Sequence, residues 1–493
     1  MSVTTTIRMY NQKNLGDCFL LKFQAEGKNE CFVLIDFGSY TGNKDRERLI
    51  AEDIRKTVEG KKLTVVLTHQ HKDHISGFGT SEDILQGLPS ELWLSFLDDE
   101  NSKEGQLLRE LTQKYWKKNE KVKKLVGETF PNNPKVKAMM KAKEGFDLFA
   151  EGQSNGAAMS SLLKLAGDNT RFLTPGDSFF LPGTDNEIKV YVLGPPVDKN
   201  MLTKLDPNNQ EEVSGLNISL EMTNMDISGT LMLEALNNYG GVSGREANFP
   251  FNAKYIGKHS NETLMIKTLY EEEQWRKIDH DWLSEIGRLS LHMDSLTNNT
   301  SLVLAFEMVK SRKVLLFVGD AQIGNWQSWF NVKFKDSTVN GQDLLSRTVV
   351  YKAGHHSSHN ATLKQGLELM NKKDLTILIP VDESISTKQG FLMLKPDMLM
   401  GYHRQSNGRV LRSDTIEQSG EKFTLDFPFA KRADLKNLKV NEDETGNHLS
   451  IELTIEDKVQ RINTDDFSIA TNKTIDLSTV PKIKIKPRNR RKE

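Results

Sequence analysis

Residues 63–74 read Leu-Thr-Val-Val-Leu-Thr-His-Gln-His-Lys-Asp-His. The first five are apolar or β-branched and have the length of a short buried strand. The last six carry three imidazoles, His69, His71 and His74, and one carboxylate, Asp73. A strand that ends in such a loop offers several nitrogen and oxygen donors from one stretch of chain, which suits zinc or another first-row divalent cation. A lone His-x-His on a surface has no such meaning; the strand before it and the Asp-His after it make the difference.

Outward from this loop, the runs CFLLKF (18–23) and CFVLIDFG (31–38) read as strands joined hairpin-fashion by AEGKNE. RERLIAEDIRKTVE (46–59) spaces Leu49, Ile50, Ile54 and Val58 as a helix does, so the core opens as strand, strand, helix, strand. Charged helix formers dominate 83–165, interrupted by PNNP at 131–134, and read as a helical insertion. Strand patterns return within 166–200, a polar segment at 201–290 reads as a second insertion, and SLVLAFEM, KVLLFVGD, TVVYKAGHH and LTILIPVD resume the core over 291–429. Residues 1–82 and 291–429 are thus expected to be the two halves of the core. Residues 430–493 read as a C-terminal extension with one alternating strand, HLSIELTIED, and a basic tail, Lys482 to Lys492.

The 493 residues suffice for a sizeable core, and ordinary Gly and Pro content excludes collagen-like and wholly disordered chains. Lys plus Arg (66) nearly cancels Asp plus Glu (67), so whole-chain charge points to no polyanionic partner. Cys18 and Cys31 are too few for a disulfide framework or a four-thiolate zinc site. No uncharged apolar run approaches ~18 residues. The expectation is a cytoplasmic protein with no membrane partner, and nothing indicates a protein partner or homo-oligomer.

The spacing His69-x-His71-x-Asp73-His74 resembles the signature of the metallo-β-lactamase fold. That resemblance implies an αββα sandwich: two facing β-sheets with helices outside, α/β (α+β) in class. It also implies ligands at the ends of later strands: Asp320 after KVLLFVG, as a carboxylate bridging two metals, and His355 after TVVYKAG, as the last histidine. Asp36, closing CFVLID, matches the family's early aspartate, which orients the metal loop through hydrogen bonds. Within the superfamily, NNTSLVLAF, LLFVGD, YKAGHHSS and TPGDSFFLPGTDNEIKVYVLGPP are similar to segments of the hydrolase domain of ComEC-type DNA-uptake proteins, over about half the chain. Members of that branch are implicated as nucleases or phosphodiesterases. This chain departs from them in having no channel segments, in carrying Ser357 where the branch has glycine, and in having no clear counterpart of the middle histidine ligand, for which His292 and the Asn298/Asn299 region are both candidates.

The resemblance implies two divalent ions, Zn²⁺ or Mn²⁺, with His69 and His71 on one, Asp73 and His74 on the other, Asp320 between them and His355 completing a site. Spacing leaves open which of His355 and His356 is the ligand. Such a pair binds a bridging hydroxide, lowers the pKa of water toward ~7 and polarises a phosphoryl oxygen for in-line attack. Asp73 is also a candidate to accept a proton or orient the hydroxide; Lys352 and His356 are candidates to hold phosphate oxygens, and Ser357 or Ser358 to add a hydroxyl contact. The expected function is a metal-dependent nuclease or phosphodiesterase acting on DNA or RNA. The alternative is a small-molecule hydrolase, on a cyclic nucleotide, phosphocholine-type ester, lactone or lactam. A non-catalytic scaffold would be expected to have lost His69, Asp73 or Asp320. For nucleic acid as substrate, residues 101–150 hold twelve Lys or Arg against six Asp or Glu, with Tyr115 and Trp116 among them. Arg404, Arg409 and Arg412 are candidates to close over an anion.

Overall fold

The computed structural model describes residues 3–129, 152–204, 296–335, 338–358, 360–389, 393–414, 418–419, 422–423, 437–444 and 448–458. His292, most of the second insertion, the PNNP breaker and the basic tail lie outside them. Met1–Asp457 clusters as one unit; of the second, Lys458–Glu493, only Lys458 is described.

The opening runs form β1 (Val3–Tyr10), β2 (Cys18–Ala25) and β3 (Cys31–Phe37). On β1 buried and half-buried residues alternate, whereas every residue of β3 is buried, as expected of a strand covered on both faces. Helix α1 (Lys44–Val58) follows, with Asn43 Oδ1 accepting from Arg46 N–H at its start and Ile50, Ala51, Ile54 and Val58 turned inward. Then come β4 (Leu63–Val66), α2 (Lys72–Thr80), α3 (Glu82–Leu85), β5 (Pro89–Ser95) and α4 (Lys103–Thr129). The remaining strands are β6 (Thr170–Leu173), β7 (Ser178–Phe180), β8 (Ile188–Gly194), β9 (Val303–Met308), β10 (Lys313–Phe317), β11 (Thr348–Lys352), β12 (Thr376–Ile379) and β13 (Val410–Arg412). Two-residue strands β14 (Gln418–Ser419) and β15 (Lys422–Phe423) pair with each other, ahead of β16 (Leu438–Glu442) and β17 (His448–Glu456).

These strands build two mixed sheets, ordered β16-β17-β1-β2-β3-β4-β5-β6 and β13-β12-β11-β10-β9-β8-β7. Each changes character partway across. In the first, pairing is antiparallel from β16 to β3 and parallel from β3 to β6; in the second, antiparallel from β7 to β10 and parallel from β10 to β13. The sheets face one another across a shared apolar core that includes Phe19, Phe23, Ile35 and Trp93 from one and Phe306, Leu315, Phe317 and Leu378 from the other. Phe19 meets Phe317 edge-on at 5.5 Å between centroids. Each such buried side chain stabilises the sandwich by ~1.5–3 kcal/mol relative to exposure. Further clusters cover the outer faces, with α1 and α2 on the first sheet and the helices Ile323–Trp329 and Pro396–Ser406 on the second. The result is an α+β sandwich. Among the described residues no helix is long and apolar enough to cross a membrane.

Two boundaries drawn from the sequence move. The stretch 83–165, read as an insertion, contains β5, a parallel strand between β4 and β6, and the helix Gly152–Ala166, whose Ala158, Leu162 and Ala166 join the cluster of Ile75 and Phe78. In β5 only Leu92, Trp93 and Leu94 are strongly apolar, and charged helix formers on both sides hide them. The stretch from 430, read as an extension, supplies β16 and β17, and β17 pairs with β1 from Thr4↔Glu456 to Tyr10↔Ser450. Pairing across that distance leaves no local signal.

Candidate metal centre

The candidate residues gather at the carboxyl ends of β3, β4, β10 and β11, where both sheets switch from antiparallel to parallel pairing. At the end of β3, Asp36 adopts φ 55° and turns its carboxylate onto the next strand's loop. Its Oδ1 accepts from Thr68 N–H and its Oδ2 from Thr68 Oγ1–H, both at 2.7 Å, and Oδ2 also accepts from His74 Nδ1–H at 2.8 Å. With Nδ1 protonated, His74 aims Nε2 at Asp320 Oδ2, 3.2 Å away. Thr68 Oγ1, having given its proton to Asp36, accepts from His69 Nδ1–H at 3.1 Å, so His69 aims Nε2 inward as well. One carboxylate thereby sets two imidazoles.

α2 starts inside this loop and brings Asp73 into its first turn. It can lie against the end of β3 because residue 38 is glycine: a Cβ there would stand 2.4 Å from Lys72 O and 2.6 Å from Ile75 N. The opposite sheet approaches as tightly. At Gly319, with φ 52°, a Cβ would stand 2.7 Å from Thr68 Cβ. That approach carries the next residue, Asp320, to the histidines, where Ser301 Oγ accepts its N–H at 2.9 Å. Asp320 Oδ2 lies 3.9 Å from His69 Nε2, and its Oδ1 accepts from His355 N–H at 3.0 Å.

β11 ends in Lys352 and runs into the turn Gly354–Ser357, where His355, His356 and Ser357 take φ of 42°, 47° and 69°. Three consecutive left-handed non-glycine residues cost on the order of 1–2 kcal/mol each. The turn directs the two histidines apart. His356 donates Nδ1–H to Pro380 O at 2.6 Å and presents Nε2 to Asp73 Oδ2 at 2.9 Å, while His355 Nε2 lies 3.3 Å from Asn298 Nδ2.

Three sets of donors result among the described residues, of which Asp17, Asp36 and His74 form one that hydrogen bonds and the Lys352 ion pair already occupy, and two share Asp320. Of those two, Asp73, His74, Asp320 and His356 form one and His69, His71 and Asp320 the other, the ligand atoms within each lying within 4.8 Å of one another. Asp320 belongs to both. The donors suit divalent cations: Asp73 Oδ1 is buried with no hydrogen-bond partner, and His69 Nε2 and His71 Nδ1 face each other at 3.0 Å. Electrostatics favour the ligating forms of His69, His71, Asp73 and Asp320, whereas the surrounding carboxylates raise His74 and His356, each of which would release a proton on binding a cation. Burial holds the His71 ring down to about 4 and lowers His69 still more clearly, so both are neutral at pH 7. Burial raises a carboxyl, yet His74, His356 and Lys352 outweigh it and hold Asp73 and Asp320 below the usual carboxylate range.

Sequence reasoning missed Asp17, which lies just before β2 and is buried among these groups. Its carboxylate pairs with Lys352 Nζ and stands 3.6 Å from His356 Nδ1 and 3.7 Å from His74 Nδ1. The only signal was a Gly-Asp before an apolar run, the ordinary mark of a turn. Asp17 also changes the reading of Lys352, whose buried ammonium meets Asp17, Gly319 O at 2.6 Å and Asp320 Oδ1 at 3.3 Å. It holds carboxylates in place and has no donor left for a phosphate.

Other expectations are corrected similarly. Of the two histidines that spacing left open, His356 stands in the four-donor group and His355 in none of the three. Ser357 is wholly buried, which leaves its hydroxyl no exposed face for a substrate contact. Ser358 donates Oγ–H to Asn360 Oδ1 at 3.4 Å. Arg409 is spent on the carbonyls of Lys372, Lys373 and Leu375, and Arg412 on Asp414 and Glu383. No family model matches the chain, and no curated protein or solved structure matches it.

Proposed function

We propose that this chain is a metallo-β-lactamase-fold hydrolase that cleaves phosphodiester bonds in nucleic acid, using two divalent ions, Zn²⁺ or Mn²⁺. The observation that carries the proposal is the sharing of Asp320 between two buried donor groups at the mouth between the sheets. In this reading His69 and His71 hold one ion, Asp73, His74 and His356 the other, and Asp320 both. Bound there, the ions supply Lewis acidity toward water and toward a phosphoryl oxygen. The residues do the rest by position. Asp36 fixes the tautomers of His69 and His74, Pro380 O that of His356, and the buried Lys352 ammonium offsets the negative charge of Asp320 and Asp17. No side chain need act as a covalent nucleophile.

The choice of a polynucleotide rests on the resemblance of the strand-end motifs and on the root of the basic segment. In the metal loop, Gln70 donates Nε2–H to Asp98 Oδ1 at 2.7 Å, at the end of the 3-10 turn Phe96–Asp98. α4 begins five residues later, and its Arg109 donates to Leu97 O at 2.8 Å and Asp99 O at 3.3 Å. The Lys-rich helix therefore rises from the flank of the candidate site, where it can follow a phosphate backbone. The side chains of Tyr115 and Trp116 lie outside the described residues.

The test is incubation of the purified protein with single- and double-stranded DNA, RNA and a simple phosphodiester, with Mn²⁺ or Zn²⁺, beside a D73A/H74A control. Polynucleotide cleavage that the control lacks is the expected result. Turnover of the simple diester alone would move the proposal to a small-molecule substrate, and failure to bind metal would end it.

A further inference from the structure

We infer that Tyr402, with Thr362 and Tyr351, forms a buried hydroxyl chain whose role is to hold the left-handed turn that aims His356; this rests on the metal-centre reading above. The turn needs a brace because three strained residues in succession would relax toward ordinary backbone if left alone. From below, Gly354 N–H donates to the Tyr351 hydroxyl at 3.4 Å. That hydroxyl lies 2.9 Å from Thr362 Oγ1, which lies 2.7 Å from the Tyr402 hydroxyl. Trp326 closes the far side of the turn by donating Nε1–H to Ala361 O at 2.9 Å.

The side chains of Tyr351, Thr362 and Tyr402 are completely buried. Buried hydroxyls cost free energy unless they bond, and a layer that served only packing would be as well filled by Phe and Val. These residues come from three elements: Tyr351 from β11, Thr362 from the loop after the turn, and Tyr402 from the helix Pro396–Ser406. The chain thus ties the histidine turn to an outer helix that contributes nothing else to the donor groups. Tyr402 is a positioning residue, acting on the candidate metal only through His356.

Co²⁺ titration followed by visible absorption, and Zn²⁺ titration against a chromophoric chelator, test the inference without reference to activity. Tyr402→Phe is expected to weaken one of two binding events by about tenfold, the scale of losing a hydrogen bond that orients a ligand, and to leave the other unchanged. Thr362→Val should do the same, and Thr362→Ser, which keeps the hydroxyl, should restore ordinary binding. In a His356→Ala background Tyr402→Phe should have no further effect on affinity. Unchanged affinity in Tyr402→Phe and Thr362→Val, or a loss that persists in the His356→Ala background, would overturn the inference while leaving the metal centre standing. Absence of any binding by the unsubstituted protein would remove the centre and the inference together.

Discussion

The two sheets solve the same placement problem by different means. Each presents two neighbouring strand ends at its switch from antiparallel to parallel pairing: β3 and β4 in the first, β10 and β11 in the second. The first sheet's side is set by short-range hydrogen bonds, with Asp36, Thr68, His69 and His74 within 39 residues of sequence. The second sheet's side is set by a buried charge, Lys352, and by a strained turn, His355–Ser357. A hydrogen-bonded frame tolerates the loss of one member; a buried charge does not, because its partners remain buried and unpaired.

Asp320 is where the two devices meet, and its loss should have the largest effect. Asp320→Ala removes a donor from both groups, whereas Asp73→Ala touches one. Metal analysis should find Asp320→Ala depleted at both positions and Asp73→Ala at one, with turnover by Asp320→Ala down on the order of 10³-fold or more. Equal metal loss in the two variants would break the claim that Asp320 is shared. Next comes Lys352→Met, which leaves Asp17 and Asp320 facing each other in the interior. The expected cost is about 3–5 kcal/mol of stability in denaturant titrations, partly recovered when a divalent ion is added. A loss below about 1 kcal/mol would mean that the ion pair is dispensable.

On the first sheet, Asp36→Asn should be milder. The amide still accepts from Thr68 but sets the His74 tautomer less firmly, so metal affinity should fall about 10- to 100-fold with little change in melting temperature. If Asp36→Asn proved as destabilising as Lys352→Met, the contrast between the sheets would fail.

This contrast also explains what could be read beforehand. His69, His71, Asp73 and His74 are legible because their chemistry is crowded into one loop after one strand. Asp320 and the His355–His356 pair are legible only as strand-terminal polar residues whose order resembles that of a known family's motifs. Which histidine faces the donors depends on a left-handed backbone that no hydropathy pattern encodes, so spacing alone leaves the pair open. Lys352 looked free because its partner, Asp17, lies 335 residues earlier. The same limit hid β5, whose short apolar centre is outweighed by its flanks, and the place of β17, whose alternation marks a strand but not its neighbour.

The last of these adds an asymmetry that pH can test. Among the described residues the first sheet is widened by β16 and β17, and its join runs through His448, whose Nδ1 lies 3.2 Å from Asn11 Nδ2, beside the Arg46 guanidinium that donates to Asn11 O and His448 O. Burial first, and Arg46 second, hold the His448 ring down to about 4 from its ordinary 6.5. A folded pKa below the unfolded one means that the unfolded chain binds the extra proton first as pH falls. The contribution of His448 is therefore intact above about pH 6.5 and is lost progressively down to about pH 4. Because the ring is partly exposed, the effect should be modest, about 1–2 kcal/mol after solvent screening. His448→Asn, whose carbonyl can still accept from Asn11, should flatten the fall of melting temperature between pH 7 and 4.5. An unchanged slope would place the acid sensitivity among the buried carboxylates of the donor groups instead of at the β1–β17 join.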